Sequence, residues 1–194
     1  MPTVDEKKKR LFTLFKESSL GFGEVVLSSG EVSNYYFDAK MVTLTAEGAY
    51  LVGSIILDII KDLDVDAIGG LTMGADPIAG SVAALSYETD EPLKAFIVRK
   101  EPKKHGKKKW IEGPLVEGDK VIIVDDVVTT GDSIVKAIKS IEDYGCEVVK
   151  VISLVDRLEG GYRNLEKHGH TLESLFTAED FEVKKVVYSQ SSTG

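Results

Sequence analysis

Val121-Ile-Ile-Val-Asp-Asp-Val-Val-Thr-Thr-Gly-Asp-Ser133 sets four branched apolar residues before two acids, then a hydroxyl- and glycine-bearing turn that opens into a helix. A run with no polar alternation is what a strand buried on both faces requires, and such strands belong to parallel sheets covered by helices. The turn that follows has the ingredients of an anion cradle: backbone N–H groups at a helix start, hydroxyls on Thr129, Thr130 and Ser133, and Gly131 to let the backbone approach a phosphate. Asp125 and Asp126 cannot share in that phosphate. They can accept hydrogen bonds from sugar hydroxyls or sit near a magnesium shell. An isolated Asp-Asp would read as a helix cap; the whole run, in this order, reads as a ligand site.

Working outward, the pattern predicts strands alternating with helices. Glu6 to Ser18 places Leu11, Phe12, Leu14 and Phe15 on one helix side, with Gly21-Phe-Gly23 ending it. Short strands are expected at Glu24–Leu27 and Tyr35–Ala39 around the turn Ser28–Glu31, and a helix from Thr45 to Asp62. Val65–Leu71 reads as a strand running into a glycine-bearing turn, after which Asp76 caps a helix with Pro77 at its first position. Strands at Ala95–Arg99, Lys120–Asp125 and Val148–Val155 follow, with a helix from Ser133 to Tyr144 closed by Gly145. The expected fold class is α/β, a mostly parallel central sheet flanked by helices, with residues 1–194 as one domain and no linker dividing it.

Composition narrows the function. With 194 residues, 43% hydrophobic and 29% charged, the chain can bury a sizeable core. A net charge of -8 argues against general nucleic-acid binding, since a polyanion would be repelled by most of the surface. The lone Cys146 cannot close an internal disulfide and reads as a small buried hydrophobe in a reducing compartment. No signal segment opens the chain, and its longest apolar stretch, Tyr50–Ile60, is broken by Gly53, Ser54 and Asp58. A soluble, cytoplasmic protein with no membrane partner is expected.

One segment runs against the acidic balance. Ile97-Val-Arg-Lys-Glu-Pro-Lys-Lys-His-Gly-Lys-Lys-Lys109 holds seven lysine and arginine side chains against one acid. On its own it reads as a solvated loop, a nucleic-acid patch, or a polar lid over an anionic ligand. His168-Gly-His170 lacks a third ligand at useful spacing and reads as structural, and Trp110 as an anchor beside the basic loop.

The run from Val121 to Ser133 closely resembles the phosphoribosyl-pyrophosphate signature of the type I phosphoribosyltransferases. The resemblance implies that Asp125 and Asp126 bind the ribose hydroxyls. It places the 5-phosphate on Thr129, Thr130, Gly131, Asp132 and Ser133. The order Arg-Lys-x-x-Lys-x-His-Gly in the basic loop resembles the catalytic loop of the orotate phosphoribosyltransferases, assigning Arg99, Lys100, Lys103 and His105 to the pyrophosphate end. In that family the loop (here roughly 99–113) is flexible and closes over a neighbouring subunit's site, which implies a homodimer. Ser33-Asn-Tyr-Tyr-Phe-Asp38 is similar to the family's aromatic strand, putting Tyr36 and Phe37 against the orotate ring beside Thr129. Val155-Asp-Arg-Leu-Glu-Gly-Gly161 matches the segment whose arginine, here Arg157, meets the substrate carboxylate. Gly70–Pro77 lies where the family binds pyrophosphate through backbone amides.

The implied fold is the type I phosphoribosyltransferase fold, with a small hood formed by roughly residues 1–40. The implied reaction transfers ribose 5-phosphate to orotate, giving orotidine 5-monophosphate for pyrimidine (UMP) biosynthesis. The implied cofactor is Mg2+, held mainly by substrate with Asp125 and Asp126 nearby. Many orotate enzymes carry lysine where Ser28 stands here, and some where Gly74 stands. A purine-base phosphoribosyltransferase would share the Asp-Asp signature without the aromatic strand and basic loop. A non-catalytic regulator binding phosphoribosyl pyrophosphate would need a DNA- or RNA-binding extension or a broad basic face.

Overall fold

The computed structural model describes residues 2–26, 32–101 and 110–183. Helix α1 (Val4–Leu14) starts at Thr3, whose side chain accepts from the Glu6 N–H while Glu6 answers the Thr3 N–H. A five-residue π-helical segment, Phe15–Ser19, carries the chain into β1 (Leu20–Val26), so Gly21 and Gly23 lie inside a strand and do not terminate the helix. β1 pairs antiparallel with β2 (Val32–Phe37) as a separate two-stranded sheet. The expected turn between them, Ser28 included, lies outside the described residues.

Next come a short helix α2 (Lys40–Thr43), α3 (Ala46–Ile60), β3 (Ala67–Leu71), α4 (Ala75–Ser86), β4 (Lys94–Val98) and β5 (Ile111–Glu112). They are followed by β6 (Lys120–Val128), α5 (Asp132–Glu142), β7 (Glu147–Asp156), α6 (Gly161–Lys167) and β8 (Leu172–Thr177). The central sheet has the order β5-β4-β3-β6-β7-β8, parallel throughout except where β5 pairs antiparallel with β4. The expected strands and helices are present with shifted ends. Thr45 caps α3 through the Gly48 N–H. α4 starts earlier than expected, at Ala75 after Gly74, and Asp76 sits in its first turn accepting from the Thr72 hydroxyl at 2.7 Å. β6 continues through both acids instead of stopping at them.

Two apolar layers cover the sheet. On one face α1, α3 and α4 bury Leu11, Val52, Ile55, Ile56, Ile78 and Val82 against Ile68, Ile122 and Ile152. On the other α5 and α6 bury Ile134, Ile138, Ile141 and Leu165 against Val121, Ile123 and Val151. Alternating β6 residues thus serve opposite layers, as a doubly covered strand demands. Cys146 lies in the second layer, its thiol donating to the Val116 carbonyl at 3.1 Å, and burial raises its pKa. No helix among the described residues is long and apolar enough to cross a membrane.

Candidate active site

The chain leaves β3 outward to β4 on one side, and leaves β6 outward to β7 and β8 on the other. The carboxyl ends of β3 and β6 therefore flank the crevice where open α/β sheets bind ligands. Asp125 and Asp126 stand there. Asp125 is 7% exposed; Ser133 donates its hydroxyl to one carboxyl oxygen at 2.7 Å and the Asp126 N–H donates to the other at 3.1 Å. Burial first, and the Asp126 charge second, push the Asp125 carboxyl up to about 7. Burial likewise raises Asp126, opposed by the Lys40 ammonium 3.8 Å away.

Gly131 adopts φ 78 and leads into α5 with no side-chain cap. An L side chain is strained in that conformation, and its absence leaves the first-turn N–H groups of α5 without a side-chain acceptor. Two of the three hydroxyls predicted for the phosphate hold carboxylates here: Ser133 donates to Asp125, and Thr130 donates to Asp132 Oδ2 at 2.8 Å. In this state the cradle is a backbone one. Asn164 of α6, which no local sequence pattern singles out, pins it by donating to the Thr130 carbonyl and Asp132 Oδ1 at 2.8 and 2.9 Å.

Gly161 packs directly beneath the same turn. A Cβ there would collide with Val128 Cγ1 and come within 3.1 Å of the Thr129 carbonyl. Gly161→Ala should destabilise the fold by about 2 kcal/mol, the ordinary penalty for overpacking, and weaken inorganic phosphate binding at this turn. Denaturant unfolding and phosphate titration check both.

At the other end of the crevice lies Arg157, 5% exposed. Its Nε donates to Glu159 at 2.9 Å, its Nη2 donates to Ser33 Oγ at 2.8 Å and the Tyr35 carbonyl at 3.4 Å, and its guanidinium sits 4.4 Å from the centre of the Tyr35 ring. One buried side chain thus ties β7 to β2. Strand alternation separates Tyr36 from Phe37. Phe37 faces inward with Tyr35, its ring 5.0 Å from Phe181, while Tyr36 faces outward, packed over Gly21. The two adjacent aromatics thus lie on opposite faces of β2.

The basic loop is described only at its ends. Lys103 and His105, with the rest of 102–109, lie outside the described residues. Arg99 pairs with Glu112 at 3.3 Å, and its N–H donates to the Trp110 carbonyl at 2.8 Å, so it fastens the loop's two ends. Lys136 of α5 donates to the Lys100 carbonyl at 2.6 Å and lies 5.5 Å over the Trp110 ring, giving Trp110 its anchoring contact. Lys100 is exposed, and its charge acts to lower the Asp125 pKa. His168 and His170 face Asn164 and Glu142 separately, and among the described residues no His, Cys, Asp or Glu cluster is placed to hold a metal.

Residues 40–186 match the phosphoribosyl transferase domain family. The class of the protein is set by that match, and the sheet order and the crevice described above accord with it. The orotate phosphoribosyltransferase of Aquifex aeolicus is 47% identical over 173 residues, 88% of this chain and 94% of the relative. That of Bradyrhizobium diazoefficiens is 43% identical over 178 residues, 90% and 95% of the two chains. Among solved structures, orotate phosphoribosyltransferase from Mycobacterium tuberculosis in complex with Fe(III) dicitrate gives a TM-score of 0.80 at 36% identity, covering 91% of this chain and 99% of that one. The same enzyme in complex with 5-phospho-alpha-D-ribosyl 1-diphosphate gives 0.76 at 33% identity, with the same coverage. The chain belongs to the orotate phosphoribosyltransferase family.

Proposed function

We infer that this chain transfers ribose 5-phosphate from phosphoribosyl pyrophosphate to N1 of orotate, releasing pyrophosphate and orotidine 5-monophosphate. The observation that carries this reading is the desolvated Asp125–Asp126 pair set beside the uncapped first turn of α5. The acids accept from the ribose 2- and 3-hydroxyls, and the amides from Gly131 to Ser133 receive the 5-phosphate. Arg157 offers the orotate carboxylate the N–H groups of Nη1, since Nε and Nη2 already serve Glu159, Ser33 and the Tyr35 carbonyl.

The sugar carbon passes through an oxocarbenium-like state as the C1–O bond to pyrophosphate breaks and the C1–N1 bond forms, with inversion. Lys103, His105, Arg99 and Lys100 gather at the departing pyrophosphate once the loop closes, stabilising charge where it develops and excluding water. Orotate arrives as an anion and requires no strong base.

Oxygen donors from two carboxylates suit Mg2+, and among the described residues no group of three or more His, Cys, Asp or Glu is placed to hold it alone. Asp125 and Asp126 would therefore hold the ion jointly with substrate oxygens. When bound, it neutralises the leaving group. The protein works in the cytoplasm as a homodimer, each subunit's loop serving the other's site; the family's shared loop motif supports this.

Loss of orotate absorbance on adding phosphoribosyl pyrophosphate and magnesium is the direct test, with hypoxanthine, adenine, xanthine and uracil assayed in parallel. Orotate alone should be consumed, and only with the metal present. Turnover of a different base would overturn the orotate assignment while sparing the acid pair. Binding of the sugar diphosphate with no turnover of any base would instead indicate a regulator.

A further inference from the structure

Three carboxylates converge where a highly anionic sugar diphosphate must settle, and one lysine stands among them. Lys40, the first residue of α2, places its ammonium 3.0 Å from Asp38 Oδ1 and 3.8 Å from Asp126 Oδ2. Asp38 also accepts the Lys40 backbone N–H at 3.2 Å, fixing the root of the side chain. Among the described residues Lys40 is the only cation in an ion pair with either member of the acid pair.

We propose that Lys40 is a positioning residue for phosphoribosyl pyrophosphate, acting through Asp126; the proposal rests on the reading of function above. On the flank of Asp126 facing Gly74 no side chain can grow from that position. A Cβ on Gly74 would run into Asp126 Oδ1 and lie 2.8 Å from its carboxyl carbon and 3.0 Å from Asp125 Oδ1. Backbone therefore lies against one side, and among the described residues the cation paired with Asp126 comes from α2. Asp126 Oδ1 already accepts the Val127 N–H at 2.8 Å, so Oδ2 is the oxygen left for a ribose hydroxyl. At 3.8 Å the ammonium lies beyond hydrogen-bond length from Oδ2. It supplies field without occupying the lone pair the sugar needs, and it reduces the repulsion an incoming anion meets. Lys40 follows the end of β2 at Phe37 by three residues, with Asp38 and Ala39 between.

Isothermal titration with phosphoribosyl pyrophosphate alone, without metal or orotate, tests the idea. Failure of orotate turnover would therefore leave this comparison intact. Lys40→Met should weaken binding by about fivefold, the upper range for a partly exposed ion pair, and Lys40→Arg should restore it to within about twofold. In steady state the KM for phosphoribosyl pyrophosphate should rise while that for orotate stays nearly constant. In an Asp126→Asn background the Lys40→Met change should shift the dissociation constant by less than about twofold, as expected when two residues act as a unit. Wild-type affinity in Lys40→Met would overturn the proposal, as would a loss that persists undiminished in the Asp126→Asn background. Lys40→Gln serves as the second variant, should Lys40→Met lower the melting temperature.

Discussion

Asp125→Asn should make the protein more stable and nearly inactive. The wild-type carboxyl is buried and its pKa is raised to about 7. A carboxyl whose folded pKa exceeds its unfolded one binds more protons when folded. Its contribution to stability is therefore complete below about pH 4 and is lost as the pH rises through about 7. At pH 8 the folded chain holds a desolvated charge that the unfolded chain would solvate freely. Asparagine removes that charge and keeps both contacts, its Oδ1 accepting from the Asp126 N–H and its Nδ2 donating to the Ser133 hydroxyl oxygen. A gain of about 2 kcal/mol is expected after allowing for local relaxation, equivalent to a Tm about 5 °C higher. The gain should shrink as the pH is lowered toward 4, because the wild-type carboxyl is then neutral as well. The amide also loses the anionic acceptor for a ribose hydroxyl, so kcat/KM for phosphoribosyl pyrophosphate should fall about 100-fold. Scanning calorimetry between pH 4 and 8, paired with kinetics, checks both halves; a Tm below wild type at pH 8 would contradict the account of a strained acid.

Arg157→Met should do the reverse on stability while also removing activity. Arg157 and Glu159 are both almost wholly buried, and the guanidinium supplies the Glu159 carboxylate with a donor at 2.9 Å. Removing one partner of a buried pair costs about 3 kcal/mol or more, which in a chain of this size lowers Tm by about 9 °C. Ser33 loses its donor from Nη2 as well, so the hairpin should loosen, and hydrogen exchange in β2 should rise more than in β6. The KM for orotate should increase by about 100-fold through loss of the carboxylate contact. A double variant, Arg157→Met with Glu159→Leu, separates the two effects: most of the lost Tm should return, and the orotate KM should not. Recovery of both together would mean that Arg157 serves only as a structural tie.

The parts of this molecule that local chemistry dictates could be read directly from sequence. Val121–Val124 gave a buried parallel strand, and the hydroxyl- and glycine-bearing turn gave the start of α5, because unbroken apolar runs and helix openings depend on neighbouring residues. What escaped was decided by side-chain contacts that residue type alone does not fix. Asp76 has the residue type and following proline of a cap, yet it lies inside α4, because the Thr72 hydroxyl engages it from the preceding turn. Asn164 and Glu159 do their work through contacts with no local pattern, one across 34 positions to Thr130 and the other through an arginine that reaches Ser33 across 124. Lys40 carried no signal beyond following Asp38 by two positions. Its place beside Asp126 depends on how the hairpin meets the sheet.

The aromatic cluster gives the chain a timetable for its synthesis. Phe12 of α1 stacks on Phe181 at 4.6 Å and meets Phe176 edge-on at 5.6 Å, while Phe37 of β2 meets Phe181 at 5.0 Å. The earliest elements made are thus completed by nearly the last described ones. On the ribosome the β3–β6 core can assemble while α1 and the β1–β2 hairpin still lack their cover. Until Phe176 and Phe181 emerge, Phe12 and Phe37 remain exposed apolar surface, the kind that chaperones hold. A nascent chain arrested before Phe176 should bind such a holdase through its first forty residues, and one arrested well beyond Phe181 should release it.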